Sequence, residues 1–142
     1  MATQLSNKFK FLLLQKVLDM DSDTIKIALV TSSFTWSRAT IHGYADVTNE
    51  LSTANGYTAG GATLAGAAYT EDDTNNLGKV TYTNATWTAS GTGIVAAGAV
   101  IYDDTVAAPT AKPVIGYIDF GGTQTTPAGG VFTVANIIIT IA

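Results

Sequence analysis

The segment AVIYDDTVAAPTAKPVIGYIDFGG, Ala99–Gly122, constrains the fold of this chain more than any other. Two runs rich in β-branched and aromatic residues, Ala99–Tyr102 and Val114–Phe120, flank a loop carrying Asp103, Asp104, Pro109 and Pro113. Those four residues start turns or cannot extend a ladder. Side chains alternate along a strand. Val114, Ile118 and Phe120 are therefore expected on one face, with a gap at Gly116, and Ile115, Tyr117 and Asp119 on the other. Both faces are at least partly apolar, the pattern of a strand covered on both sides or used in an assembly.

The flanking sequence extends this β-rich reading. Ser6 or Asn7 can cap a helix, apolar on most sides, over about residues 6–18, because a short side-chain oxygen satisfies an orphan amide of the first turn. On that helix Phe9, Leu13 and Val17 share one side with Leu12 beside them, while Phe11, Leu14 and Leu18 fall on another. Such a helix is buried or docked against more than one surface. After a turn at Asp19–Asp23, the strand Thr24–Thr31 puts Ile25, Ile27 and Leu29 on one face and Lys26, Ala28 and Val30 on the other. Residues 32–61 read as a long irregular excursion holding Trp36, His42 and Tyr44, with one helical turn at Tyr44–Val47. A loop of that length carries function or docks on something. Ala62–Tyr69, Val80–Thr83, Ala85–Thr88 and Ile94–Ala97 follow as strands, with a polar turn at Glu71–Asn76. In the charge-free run Val131–Ala142 the odd positions Val131, Ala135, Ile137, Ile139 and Ile141 form an apolar row broken by Thr133. At an open edge such a strand invites aggregation, so a central position in a sheet or cover by another subunit is expected. The pattern predicts one domain, 1–142, mainly β: a β-sandwich or jelly-roll-like barrel over 24–142 behind one N-terminal α-helix.

Composition narrows the chemistry. Charged residues are 13% of the chain, about half the usual ~25%, so its surface is neutral and hydroxyl-rich. A net charge of −4 with scattered Lys and Arg argues against nucleic-acid binding. The absence of cysteine removes disulfides and thiolate metal sites. FKFLLLQKVL is interrupted by Lys10 and Lys16 and lacks a small-residue cleavage site, so neither a membrane span nor a signal peptide is expected.

Asp19, Asp21 and Asp23 have the spacing that opens a calcium loop, but Thr24 and Val30 stand where that loop needs Gly and Glu. His42, the lone histidine, has no G-x-S-x-G elbow to serve. Asp72-Asp73 and Asp103-Asp104 are adjacent in sequence, unlike carboxylates that flank one bond. No catalytic residue, metal or cofactor is expected, and the chain is read as a non-enzyme. The contact candidates are Phe9, Leu12, Leu13, Trp36, His42, Tyr44, Tyr57, Ile137 and Ile139, since aromatic and apolar anchors dominate interfaces.

DTIKIALVTSSFT (Asp23–Thr35), YADVTNELS and GYTAGGATL (within Tyr44–Leu64), AVIYDDT and VIGYIDFGG occur in that order. Together they resemble a group of small tailed-bacteriophage virion proteins encoded among the head genes, described as capsid decoration (cement) or other auxiliary structural proteins. Leu64–Val80, rich in Ala and Gly, departs from that pattern. The resemblance implies a trimeric β-domain on the capsid surface, assembled in the bacterial cytoplasm and bound to the major capsid protein. A tail, neck or head-fibre component and a carbohydrate-binding β-module using Trp36 and Trp87 remain the alternatives.

Overall fold

A computed structural model describes residues 2–142. Strand formation follows the apolar alternation most closely in β2 (Ile25–Val30), which sits inside a five-stranded sheet. Its neighbours are β1 (Gln4–Leu5), β3 (Ala62–Thr63), β7 (Ile94–Asp103) and β8 (Val114–Thr126), in the order β1-β8-β7-β2-β3. All pairings are antiparallel. A second layer comprises β4 (Ala68–Asp72), β5 (Leu77–Tyr82), β6 (Ala85–Thr88), β9 (Val131–Val134) and β10 (Ile137–Ile141). There β10-β5-β4 and β6-β9 form short sheets. Tyr82 pairs with Ile137 and Ala85 with Val134, three residues on along one chain and three back along the other. The two sheets are thus one bent ribbon with its register unbroken.

Between the layers lies the main core. Ile25, Ile27, Leu29, Ile94, Ile101, Ile115 and Ile118 meet Val80, Tyr82, Trp87, Phe132, Val134, Ile137 and Ile139. Each fully buried aliphatic side chain stabilises the fold by about 1.5–3 kcal/mol. The opposite face of the five-stranded sheet is also apolar: Ala28, Val30, Val100, Tyr102, Val114 and Tyr117 are buried beneath Phe34 and Ile41. The long excursion is therefore a third layer. This is a mainly β sandwich with one α-helix, as the alternation predicts; the sheets do not close into a barrel.

Four local expectations need correction, and each has a conformational cause. The helix α1 is Asn7–Leu14, ending four residues before Leu18, because Lys16 adopts φ 57°. The Lys16 and Val17 amides then donate to the Leu13 and Leu12 carbonyls and close the helix end. Ala62–Tyr69 divides into β3 and the start of β4, with Gly66 at φ 66° between them. In β8 a register shift between Ile101 and Tyr102 moves Val114 onto the outer face, leaving Ile115 and Ile118 together in the main core. Such a bulge changes which face a side chain reaches.

The C-terminal run is not one strand. Asn136, at φ 55°, separates β9 from β10. The buried residues switch from even positions (Phe132, Val134) to odd ones (Ile137, Ile139), while Val131 and Ala135 are exposed. Nor is this segment central: β10 is an edge strand, whose Ile138 carbonyl accepts a 2.6 Å hydrogen bond from the Thr3 hydroxyl.

Candidate functional site

The third layer is built from the aromatics that the sequence offers as contacts. Trp36 stacks on Tyr117 at 5.6 Å between ring centroids, Phe34 tilts onto the same ring at 5.3 Å, and Tyr44 stacks on Tyr102 at 4.4 Å. Tyr117 lies so close over Gly98 that a Cβ there would fall 2.4 Å from its hydroxyl. Backbone bonds stitch the layer down. The Thr31 amide donates to Asn49, Leu51 to Leu29, Tyr44 to Lys112, and Val114 to His42. The expected turn forms as a short 3-10 helix, Tyr44–Asp46. The Asp46 carboxylate accepts the His42 and Gly43 amides, and these bonds hold its pKa below the usual carboxylate range. His42 places Nε2 2.7 Å from the Ala39 carbonyl oxygen.

Glu50, to which the sequence reading gives no role, organises the inner edge of this layer. Its Oε1 accepts from the Tyr57 hydroxyl and the Gly60 amide, both at 2.6 Å, and its Oε2 accepts from the Tyr44 hydroxyl. The Tyr57 oxygen in turn accepts from the Leu29 amide in β2, while the Tyr102 hydroxyl donates to the Gly60 carbonyl. Burial, reinforced by the Glu50 charge, pushes the Tyr44 and Tyr57 hydroxyls above their ordinary pKa and keeps them protonated as donors. The sequence trace of this brace is Glu50 and Tyr57 at the two ends of ELSTANGY, with the Gly60-Gly61 pair just beyond.

Buried acidity occurs at one further place. Asp103 ends β7 on the main-core face, fully buried, with Oδ1 accepting the Thr105 and Val106 amides at 2.7 and 3.1 Å. Burial, and then the neighbouring Asp23 carboxyl, push its pKa up to about 6 against the pull of those amides. Asp104 faces the other way, 2.7 Å from Lys112 Nζ and 3.7 Å from Lys26 Nζ, and its pKa is lowered mainly by Lys112. Asp19 and Asp23 fold back onto their own turn amides. Among the described residues no group of three or more His, Asp or Glu side chains is placed to hold a metal ion.

A different surface is open. Ser6 caps α1, accepting the Lys8 amide at 3.2 Å. The helix then buries Phe9 and Leu12 and turns Phe11 (49% exposed) and Leu14 (88%) outward. Between α1 and the β4–β5–β10 sheet runs a groove of about 560 Å³, floored by Phe9, Val80 and Ile139 and walled by Leu13, Met20, Tyr69 and Ile141. A second hollow on the other side of Leu13 and Ile141 reaches Leu5, Lys10, Leu14 and Ala142. Ile141 of the edge strand, 39% exposed, borders both hollows.

The sequence-derived contact candidates therefore separate. Phe9, Leu12, Tyr57, Ile137 and Ile139 are at most 2% exposed and belong to the chain's own core. Trp36, His42 and Tyr44 are half-buried in the third layer. Leu13 lines the groove. Tyr69 and Ile141, absent from the sequence-derived candidates, line it as well, and Leu14 lines the hollow on the other side of Leu13. Among the described residues no helix is long and apolar enough to cross a membrane. Comparison with protein-family models, curated proteins and solved structures found no match.

Proposed function

We propose that the chain is a structural protein that works by docking, of the capsid decoration type, and that it binds a major capsid protein lattice. One observation carries the reading. An open apolar surface runs along the groove and the hollow beside it, where Leu13 and Ile141 border both and Tyr69 and Leu14 extend it to either side. Exposed apolar patches of this kind mark association sites. The remaining features suit a load-bearing part. Both faces of the central sheet are covered, and the long excursion is braced by Glu50 and by stacked aromatics. Repeated on a symmetric shell, individually weak contacts add up to avidity. The order of the phage-like segments along the sequence supplies the choice of partner.

Purified protein added to capsids that lack it tests this reading. Saturable binding at lattice-symmetric positions, with increased resistance of the shell to heat, is expected. Absence of binding, or density at the tail or neck alone, would overturn the capsid assignment.

A further inference from the structure

We infer that Asp103 carries a proton on Oδ2 and donates it to the Asp23 carboxylate, and that this pair is an acid-closed latch between the Asp19–Asp23 turn and the end of β7. The strand register brings the two together. Ile25 pairs with Asp103 across β2 and β7, and side chains two residues apart share a face. Asp23 is therefore the diagonal neighbour of Asp103 on the main-core side. Two bonds fix the backbone here: the Thr24 amide donates to Thr105 Oγ1 and the Asp104 amide to the Thr24 carbonyl, both at 2.8 Å. Asp23 also closes its own turn, its Oδ2 accepting the Asp19 amide at 2.8 Å.

What surrounds Oδ2 places the proton. Oδ1 takes the Thr105 and Val106 amides, whereas Oδ2 is buried and meets no donor. The Tyr82 hydroxyl, buried on β5 in the facing layer, is equally without a partner, so it stands out of reach of Oδ2; in contact, each would satisfy the other. Within hydrogen-bonding reach of Asp103 lies the Asp23 carboxyl, an acceptor when ionised. Two facing carboxyls bond only when one of them carries a hydrogen. The nearby cations are engaged elsewhere: Lys26 and Lys112 hold Asp104, which strand alternation turns to the opposite face, and Lys16 neighbours Asp19. The other titratable groups around the pair are Tyr82, Tyr69 on β4, whose hydroxyl donates to the Met20 carbonyl, and Asp19 and Asp21 in the turn. Loss of the proton sets two carboxylates against each other inside the sandwich. Asp103 is anchored in a central strand, so the turn is the part that yields. Burial of Asp103 sets the direction: the latch is closed below about pH 6 and released above it. Met20, a wall of the groove, moves with the turn, so the groove widens as pH rises. That last consequence rests on the docking reading for its use; the latch does not.

Hydrogen-exchange mass spectrometry on the full chain tests the latch, with rates corrected for the intrinsic effect of pH on exchange. Protection of the Asp19–Asp23 turn should fall about tenfold between about pH 5 and about pH 7.5, while β7 keeps its protection. Asp103→Asn supplies a fixed N–H in place of the titrating hydrogen and should hold the turn protected at both pH values. Asp23→Asn, which keeps an acceptor for the Asp19 amide and offers an N–H to Asp103, should do the same and serves if the first variant does not fold. Wild-type protection independent of pH, or variants that lose protection with rising pH as the wild type does, would overturn the proposal. Protection regained at neutral pH on adding calcium chloride would assign the pair to a cation and overturn it as well. No partner is present in this measurement, so its failure leaves the docking reading standing.

Discussion

Single residues set the internal economy of this fold. Glu50 is the common acceptor for two tyrosine hydroxyls and one backbone amide. Glu50→Ala should cost about 3 kcal/mol, since hydrogen bonds to a charged group contribute ~1.5–3 kcal/mol and the donors left behind are partly buried. Chemical denaturation reads that loss, and an unchanged midpoint would show the brace to be idle. Asp103 sets a pH dependence whose sign follows from its raised pKa. The folded state holds the proton up to about pH 6, whereas the unfolded carboxyl releases it near its ordinary value of 3.8. The native state thus binds more protons between those limits, and this group's contribution falls as pH rises through that window. Asp103→Asn keeps an acceptor for the Thr105 and Val106 amides without the buried charge. It should raise stability at pH 7 by on the order of 1–2 kcal/mol and flatten the profile between pH 4 and 6. Parallel melting curves of variant and wild type across that range would contradict this.

At the scale of elements, the sequence is legible wherever the chain keeps one backbone conformation and misleading wherever a single residue leaves it. The two-faced β2 is readable because Ile25, Ile27 and Leu29 alternate strictly with Lys26, Ala28 and Val30, and both sets find a core. Ser6 is readable as a cap because its hydroxyl has one local use. Lys16 and Asn136 are not, since nothing in periodicity marks a positive φ at a residue other than glycine. One such residue ends α1 early, and the other reverses the inward face of the C-terminal run. Asn136→Val should therefore destabilise the protein by about 1–2 kcal/mol, the steric cost of that conformation for a branched side chain, while Asn136→Gly stays near neutral. Thermal melts of the pair decide it. Gly61 makes the same argument at a closer approach: at φ 73°, its missing Cβ would stand 1.8 Å from the Ile27 carbonyl oxygen. Gly61→Ala should unseat β3 from β2 and lower the melting temperature.

For the whole molecule, the division between interior and contact surface is what the sequence conveys least well. Phe9, Ile137 and Ile139 look like contact residues from their chemistry alone, yet they fill the space between layers. Leu14, four residues from Lys10 on the same helix, is open because α1 presents a different arc to the sheet. That choice depends on how the helix docks, which periodicity does not specify. Layering also predicts a gradient of backbone protection. Amides of β7, central in its sheet and covered on both faces, should exchange with solvent more slowly than those of the edge strand β10, and hydrogen-exchange mass spectrometry on the two segments checks the order. The Thr3 hydroxyl bound to the Ile138 carbonyl has a practical side as well. It brings the first residues of the chain alongside the last strand, and Ala142 borders the hollow beside Leu14. Any affinity handle or fluorescent fusion, whichever end carries it, would crowd the very patch whose occupancy is in question. Internal labelling at the exposed Gly121-Gly122 segment of β8, which lines neither hollow, would report on assembly without obstructing it.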